Sequence, residues 1–327
     1  MISRRLFNIL SGAALGLAAL SSFAGQAFAE VTTLKLGYSY ATPSTLILKE
    51  KGWLENELKA KGISVEWVLS RGSNQTLEFI RSGSIDFGAS AGSAALLGHA
   101  NGTPNKVIAW LSRGEFTALL TLPDSGIKSL EDLRGKKVAA TRATEPYLFL
   151  LRALEKANIP ASEVEVVPLQ HPEGRVALES RQVDAWAALD PDFAITEINA
   201  GSIPFYRDET LITGGVLNVH TKFAEDNPEL VELVLKGIIW ATKYAKDNPK
   251  EALELYATAG KLDAKIAERS FNRNVLDQFQ ITDQDYKNLI ASGEILKSSG
   301  SIPADTDIEA ATKDLLEPKY INVALTQ

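Results

Sequence analysis

Two stretches of the sequence about 100 residues apart have the same order of apolar, small and polar residues, which strongly constrains how this chain folds. Residues 36–48, LGYSYATPSTLIL, align with residues 138–150, VAATRATEPYLFL, and in both an Ala-Thr pair is followed within two residues by proline. Two more pairs of segments follow in the same order: 65–68 with 164–167, and 85–87 with 183–185. The offsets of 102, 99 and 98 residues are nearly constant, so the sequence predicts an internal repeat.

Each copy of the repeat has the pattern strand, helix, strand, helix, strand. In the second copy Leu148, Leu151 and Leu154 follow the three-residue spacing of one helix face. Alternating strands and helices are typical of βαβ units, in which helices flank a mostly parallel sheet. Two such copies predict an α/β protein with two lobes. Its ligand cleft is expected between the lobes, because ligands of open α/β sheets bind beyond the carboxyl ends of the strands.

The order of the segments along the chain predicts the lobe boundaries. Lobe 1 is expected to contain residues 30–113 together with 220–327, and lobe 2 residues 120–214. The chain is expected to cross between them at 114–119 and 215–219, which would then act as a hinge.

Residues 1–29 have the composition of a secretory signal peptide. Arg4 and Arg5 come first, an uncharged and mostly apolar run spans 9–20, and residues 27–29, Ala-Phe-Ala, form a typical cleavage site. The opening SRRLF also resembles a twin-arginine signal, so the export route stays open. The apolar run is shorter than a membrane span requires. We therefore expect a mature protein located in the bacterial periplasm.

The expected mature chain is acidic and has no cysteine. Cleavage after residue 29 removes two arginines and no acidic residue, so the formal charge changes from −7 to −9. An acidic chain without a basic stripe argues against nucleic-acid binding. Without cysteine there is no disulfide, no thiol nucleophile and no site for a lipid anchor on sulfur. A freely diffusing monomer is expected.

Helix starts in the matched turns predict an anion site. Thr42 precedes Pro43 and is expected to cap one helix, and Thr144, or Thr141 before it, is expected to cap the counterpart. Residues 90–93, Ser-Ala-Gly-Ser, offer a third helix start, where small side chains allow close approach to the backbone. The first turn of a helix has unpaired N–H groups and partial positive charge, so an anionic head group is expected there.

Two arginines near these turns have alternative roles. Arg142 either holds the anion through charge-assisted hydrogen bonds or pairs with Glu145 at the surface. In the first case Arg142→Ala is expected to weaken binding at least tenfold. Arg113, at the crossing, has the same alternatives of ligand contact or structural pair.

Aromatic residues and one aspartate near the cleft also allow two interpretations. Tyr40, Tyr147 and Trp186 either line an apolar wall for an organic tail or belong to the core. Asp190 either faces the cleft or caps the helix that starts at Pro191.

The sequence contains no recognisable catalytic set. His99, His171 and His220 are far apart and lack metal-ligand spacing, and neither a G-x-S-x-G motif nor a phosphate loop is present. We therefore expect a binding protein without a metal or cofactor. An exported enzyme on the same fold is the alternative.

Several motifs resemble the periplasmic solute-binding proteins of ABC importers, in the group that binds aliphatic sulfonates, taurine and nitrate. The resemblance covers nearly the whole mature chain. It is carried by these segments: GSIDFG at 83–88, SLEDLRGKKVA at 129–139, VDAW at 183–186 followed by Asp190-Pro191, and LILKEKGWLE at 46–55, the last being most similar to the sulfonate binders.

This resemblance implies a type II periplasmic binding protein fold that closes by a hinge over an organosulfur anion. The anion would be an aliphatic sulfonate or a sulfate ester, used as a sulfur source and passed to an ABC permease with its cytoplasmic ATPase. A taurine or nitrate-type ligand is the alternative, and Glu145 or Glu115 would then hold the taurine amine. Signalling in place of transport also stays open.

The resemblance places ligand contacts at 39–42, 90–93, 142–145 and Asp190. Together with the residues discussed above, the predicted ligand-binding set is Ser39, Tyr40, Thr42, Ser90, Ala91, Gly92, Ser93, Arg113, Arg142, Thr144, Glu145, Trp186 and Asp190.

Overall fold

The computed structural model describes residues 31–326, so the predicted signal peptide at 1–29 lies outside the described residues. Within 31–326 the chain forms ten strands: β1 (Thr33–Tyr38), β2 (Ser64–Leu69), β3 (Phe87–Ala91), β4 (Asn105–Ser112), β5 (Thr117–Thr121), β6 (Lys137–Ala140), β7 (Glu165–Pro168), β8 (Ala185–Leu189), β9 (Ile203–Tyr206) and β10 (Gly215–His220).

Fourteen α-helices complete the same part of the chain: α1 (Pro43–Glu50), α2 (Trp53–Lys59), α3 (Ser73–Arg81), α4 (Gly92–Ala100), α5 (Glu145–Lys156), α6 (His171–Glu179), α7 (Asp192–Asn199), α8 (Thr221–Asp226), α9 (Pro228–Asp247), α10 (Pro249–Gly260), α11 (Ala264–Phe271), α12 (Asp283–Ser298), α13 (Ile308–Leu315) and α14 (Lys319–Ala324).

The strands form two five-stranded sheets with one topology. The first sheet has the order β2-β1-β3-β10-β4 and the second the order β7-β6-β8-β5-β9. In each sheet four strands are parallel, and the fifth, β10 or β5, runs antiparallel to both its neighbours. The predicted α/β class, with two mostly parallel sheets flanked by helices, is confirmed.

One hydrogen-bond pair occurs in both copies of the repeat. Asp86 Oδ2 accepts the backbone N–H of Lys35 at 2.8 Å, and Asp184 Oδ2 accepts that of Lys137 at 2.8 Å. In each case the aspartate precedes the third strand of the copy, and the lysine amide belongs to the first strand or its edge. The same side chain therefore fixes the same strand pair in both sheets.

The two connections between the sheets differ from the predicted crossings: residues 113–116 join β4 to β5, and residues 207–214 join β9 to β10. Residues 117–119 belong to β5 and residues 215–219 to β10, so these parts of the expected crossings are strand. Of the first crossing, 114–116 lies between strands. Gly114 there has φ +109°, and a Cβ on it would lie 2.2 Å from the Arg273 carbonyl oxygen, which requires glycine. The lobe boundaries and the hinge stay predictions.

The apolar interior follows the two sheets. One buried cluster joins β1, β3 and β4 to α1 and α9, and another joins β6 and β8 to α5. Helix α11 packs against α10 and also against α7, which follows a strand of the second sheet. The carboxyl ends of β1, β2, β6, β7 and β8 are followed by the turns that form the site described below.

The shared aspartate contact predicts unequal losses of stability. Asp86→Ala is expected to lower the free energy of unfolding by about 1–2 kcal/mol, because a partly buried backbone N–H loses its acceptor. Asp184→Ala is expected to cost less, because the corresponding contact is exposed and water replaces the acceptor. Urea unfolding measures both. Asp124→Ala, which breaks an exposed pair with Arg181, is the control and is expected to change nothing measurable. Equal effects of all three substitutions would contradict this account.

Candidate functional site

Two adjoining cavities lie at the carboxyl ends of the strands. The first cavity has a volume of about 50 Å³ and the second about 190 Å³, and Ser39, Ala41 and Leu189 line both. The first cavity is lined by Ser39, Ala41, Thr42, Gly72, Ser73, Ala89, Ser90, Ala91, Ser112, Phe116, Thr144, Glu145, Pro146, Leu189 and Gly215. The second is lined by Ser39, Tyr40, Ala41, Leu69, Ser70, Arg71, His171, Pro172, Leu189, Asp190, Pro191 and Asp192.

Residues from both sheets line the first cavity, and hydroxyl groups dominate its polar surface. The starts of α1, α3 and α5 are part of the lining or directly follow it, and first-turn amides have no acceptor within their own helix. Six serine and threonine residues add hydroxyl groups: Ser39, Thr42, Ser73, Ser90, Ser112 and Thr144. Ser90 and Thr144 donate their hydroxyl hydrogens to the carbonyl oxygens of Ala91 and Thr141, which leaves four of the six hydroxyl groups as donors. Neutral donors beside positive helix ends are suited to an anion.

Thr42 and Thr144 occupy the predicted N-cap positions, but their side chains do not cap. The Thr144 hydroxyl donates to the Thr141 carbonyl oxygen at 2.6 Å, in the direction opposite to a capping bond. The Thr42 hydroxyl makes no capping bond either, and the Thr42 carbonyl accepts from the Thr45 hydroxyl at 2.9 Å. The Thr42 hydroxyl therefore stays available at the cavity.

The third predicted helix start uses its amides within the protein. The Gly92 N–H donates to the Gly214 carbonyl oxygen at 3.0 Å, and the Ser93 N–H donates to Thr213 Oγ1 at 2.9 Å. Ser90 and Ala91 line the first cavity, whereas Gly92 and Ser93 lie behind it. The expectation that the Gly92 and Ser93 amides bind the anion is therefore wrong, because those two donors already have acceptors.

Glu145 is buried and holds three hydrogen bonds. Its Oε1 accepts the Thr213 N–H at 2.7 Å, and its Oε2 accepts the hydroxyl groups of Thr213 at 2.5 Å and Ser93 at 3.0 Å. Burial raises the pKa of this carboxyl, against the effect of the three donors. The expected surface pair with Arg142 is thus absent, and both oxygens are engaged away from a ligand amine. Glu115, the other predicted amine partner, pairs with Arg207 at 2.5 Å.

The two predicted anion-binding arginines lie outside the linings of both cavities. Arg142 is exposed, with its guanidinium 5.6 Å from the centre of the Tyr147 ring. Arg113 donates to both carboxylate oxygens of Asp285, at 2.7 and 3.1 Å, because its side chain extends towards α12. Arg113 therefore has the structural pair that the sequence allowed, neither guanidinium lines the two cavities, and ligand contact by either arginine stays a prediction.

Of the three aromatic residues predicted near the cleft, one lines a cavity and two are buried in the core. Tyr40 lines the second cavity, and its carbonyl oxygen accepts the Tyr256 hydroxyl at 3.0 Å. Trp186 is fully buried in β8 of the second sheet, and a Cβ on Gly174 would lie 2.6 Å from its Nε1, so α6 covers the indole closely. Trp186 is therefore a core residue, and Tyr147, in the first turn of α5, is also buried in the core.

Asp190 has both roles that the sequence allowed. It lines the second cavity, and its Oδ1 accepts the Ala194 N–H at 3.1 Å at the start of α7. Arg273 donates to both of its oxygens, at 3.1 and 3.2 Å, and also pairs with Glu197. Burial raises the pKa of Asp190 to about 6 although Arg273 opposes the shift.

Sequence reasoning missed the turns that follow the second strand of each copy. Ser70 to Ser73 follow β2, and His171, which lines the second cavity, follows β7. The repeat contained the signal, because the offset of 99 residues places His171 opposite Gly72. All the parallel strands of a sheet end at the same edge, so the turns after the second strands lie beside those after the first and third.

The described residues do not contain a metal cluster: in 31–326, no three His, Asp or Glu side chains are grouped so that they hold an ion. Over the same residues, no helix combines the length and apolarity that a membrane span needs.

The family comparison agrees with this architecture. A family model described as NMT1/THI5 like matches residues 44–252. The chain belongs to this family. A protein of Bacillus subtilis (strain 168), provisionally named an aliphatic sulfonates-binding protein, is 28% identical over 302 residues, which are 91% of this chain and 90% of that protein.

Solved structures share the fold at lower identity. The alkanesulfonate-binding protein SsuA from Xanthomonas axonopodis pv. citri, bound to MOPS, matches with a TM-score of 0.81 at 22% identity, over 89% of this chain and all of that one. The desulfurization enzyme DSZB matches with a TM-score of 0.66 at 17% identity, over 90% of this chain and 99% of that one. The resemblance recognised in the sequence motifs is confirmed, and the fold occurs in both a binding protein and an enzyme.

The buried histidine predicts a specific loss of stability in acid. Burial lowers the pKa of His171 to about 4, below its usual value of 6.5, so on acidification the unfolded chain takes up the proton first. Between pH 6.5 and 4 the wild-type chain is expected to lose about 1.4 kcal/mol per pH unit more than His171→Asn. Urea unfolding of both proteins at pH 7 and pH 5 measures the difference. An equal decline in the two proteins would contradict a neutral buried ring.

Proposed function

We propose that the mature chain is the periplasmic substrate-binding component of an ABC importer for organosulfur anions, namely aliphatic sulfonates or sulfate esters used as a sulfur source. The first cavity carries this proposal. Its lining combines hydroxyl groups with the starts of three helices, and it receives residues from both sheets. Taurine and nitrate-type anions are the alternative ligands.

The head group is expected to bind through neutral donors. Glu145 is the one ionisable side chain among the lining residues, and its oxygens already have donors. An oxyanion accepts hydrogen bonds from amides and hydroxyl groups at helix starts without an opposite full charge. A tetrahedral sulfonate or sulfate group presents three oxygens for this purpose.

The position of the first cavity supports closure over the ligand as part of this proposal. Leu189, Phe116 and the start of α5 belong to the side of the second sheet, and Ser39, Thr42 and Ser90 to that of the first. A ligand that contacts both sides favours the conformation in which they are close together. Such a conformation is what a permease would recognise before the ligand is released.

The relatives support a binding role more than a catalytic one. The Bacillus subtilis relative and the Xanthomonas structure are named for binding sulfonates, and DSZB is the enzyme of the same fold. Within 31–326, the carboxylates at the two cavities, Glu145, Asp190 and Asp192, all hold structural partners. A turnover assay on sulfonates and sulfate esters tests the enzymatic alternative.

Calorimetry of the purified mature chain tests the ligand class. The panel contains ethanesulfonate, an alkyl sulfate, an aryl sulfate, nitrate and inorganic sulfate. We expect micromolar binding, about −8 kcal/mol, for at least one organosulfur anion and weaker binding of nitrate. Preference for nitrate, or no binding to any organosulfur anion, would overturn the proposal.

Thr42→Val tests the hydroxyl contact. The Thr42 side chain is at the first cavity and makes no capping bond, so its loss is expected to weaken the best sulfonate at least tenfold, because hydrogen bonds to charged groups contribute about 1.5–3 kcal/mol. Thr312→Val is the matched control, since its hydroxyl is buried and unpartnered in the described chain but lies on α13. Similar affinities of the two variants would remove Thr42 from the site.

Arg142→Ala is expected to leave the affinity unchanged within about twofold. The guanidinium is exposed and outside both linings, and solvent and salt screen its charge over a Debye length of about 8 Å. Calorimetry on the same sulfonate provides the measurement. A tenfold loss would restore the role that the sequence predicted.

A further inference from the structure

The first cavity combines neutral donors with one buried acidic side chain. Glu145 is 2% exposed, and it is the one ionisable side chain among the residues that line this cavity. The lining residues include no lysine, arginine or histidine, so none of them offers a cation to a bound anion. The cavity has a volume of about 50 Å³, so a head group inside it lies close to every lining residue.

The hydrogen bonds of Glu145 are arranged for its ionised form. Its Oε1 accepts the Thr213 N–H, which is a donor in any protonation state. The Thr213 hydroxyl oxygen accepts the Ser93 N–H at 2.9 Å, so the Thr213 hydroxyl hydrogen points to Glu145 Oε2. The Ser93 hydroxyl donates to the same Oε2 at 3.0 Å. A carboxyl group that accepts from three donors and donates to none is a carboxylate.

Arg152 supports this charge without reaching the cavity. Its guanidinium donates to the carbonyl oxygens of Leu211 at 2.9 Å and Thr210 at 3.4 Å, and Arg152 lies outside the lining of the first cavity. Burial raises the pKa of Glu145, and both the three donors and the Arg152 charge oppose that shift. A ligand in the first cavity therefore meets a negative charge whose nearby cation is directed elsewhere.

Repulsion from a buried carboxylate depends on the charge of the ligand. Coulomb repulsion is proportional to the product of the two charges and is weakly screened in a cavity of low polarity. At the same position, Glu145 thus opposes a dianion twice as strongly as a monoanion. The hydroxyl and amide donors attract both kinds of ligand, so the carboxylate is the group that favours the lower charge.

Resting on the proposed function, we propose that Glu145 is a specificity-determining residue that selects head groups with a single negative charge. Sulfonates and sulfate esters have one negative charge, whereas inorganic sulfate has two. Shape alone separates these ligands poorly, because all of them present oxygens on a tetrahedral sulfur. The carboxylate of Glu145 therefore lets the first cavity bind organosulfur anions and reject inorganic sulfate.

Matched ligand pairs test this selection in the wild-type chain. Calorimetry at pH 8 compares methyl sulfate with inorganic sulfate, and methanesulfonate with thiosulfate, so that the two members of each pair share a tetrahedral sulfur and differ by one charge. We expect the singly charged member of each pair to bind roughly tenfold more tightly. Equal binding within the pairs, or tighter binding of the dianions, would overturn the selection.

Glu145→Gln tests the residue. Glutamine has the same shape without the charge, its amide oxygen accepts the Thr213 N–H, and the hydroxyl groups of Ser93 and Thr213 turn to accept from its amide nitrogen. We expect inorganic sulfate to gain roughly tenfold in affinity and methyl sulfate to gain less, so that the preference narrows at least about threefold. Binding of methyl sulfate also shows that the variant is folded.

Two further variants complete the experiment. Glu115→Gln is the matched control, because Glu115 pairs with Arg207 and lies outside the linings of both cavities, and it is expected to keep the wild-type preference. Glu145→Ala is the second neutral variant if Glu145→Gln does not fold, since water at the cavity then replaces the carboxylate as acceptor. The same narrowing of the preference is expected for it.

The outcomes separate the two proposals. If no organosulfur anion binds the wild-type chain, the proposed function is overturned. If organosulfur anions bind but the dianion of each pair binds equally well, charge selection is overturned and the proposed function stands. If the wild-type chain prefers monoanions and the neutral variants of Glu145 retain the full preference, the assignment to Glu145 is overturned.

Discussion

The Glu145 carboxylate joins three segments that border the first cavity. It accepts hydrogen bonds from Ser93 at the start of α4, and from the backbone and side chain of Thr213 just before β10. Glu145 itself is the first residue of α5, beside the second sheet. One buried carboxylate thus connects the start of α5, beside the second sheet, to the start of α4 and to the residue before β10, both beside the first sheet. These bonds tie the start of α5 to the start of α4 and to Thr213, whose Oγ1 also accepts the Ser93 N–H.

That junction also explains why the site has little positive charge. The donors that remain at the first cavity are hydroxyl groups and first-turn amides, and the nearby arginines are engaged by Asp285 or lie in solvent. Neutral donors around a cavity hold an anion by geometry as well as charge, which suits a tetrahedral head group. The second cavity has a different character, because the carboxylates of Asp190 and Asp192 line it and each pairs with an arginine outside the lining.

The repeat made most of the fold predictable. Strand and helix order, the equivalence of Thr42 and Thr144, and the carboxyl-end position of the site all follow from local patterns that recur about 100 residues apart. Side-chain roles were less predictable. Arg113, Arg142 and Trp186 have the chemistry of ligand contacts, and their actual partners lie far away in sequence or in the core.

By itself, the sequence determined the two-sheet α/β architecture, the family resemblance and the edge at which the two cavities lie, because apolar periodicity and helix-start residues act over a few neighbouring positions. Only the tertiary structure decided which donors are free. The Gly92 N–H donates to the Gly214 carbonyl oxygen, the Glu145 carboxylate accepts the Thr213 N–H, and His171 Nδ1 lies 3.2 Å from the Thr141 hydroxyl oxygen. Each pairing joins segments that folding brings together. Whether a donor or acceptor already has a partner depends on the residues packed around it in the folded chain, and residue type and spacing do not specify those residues.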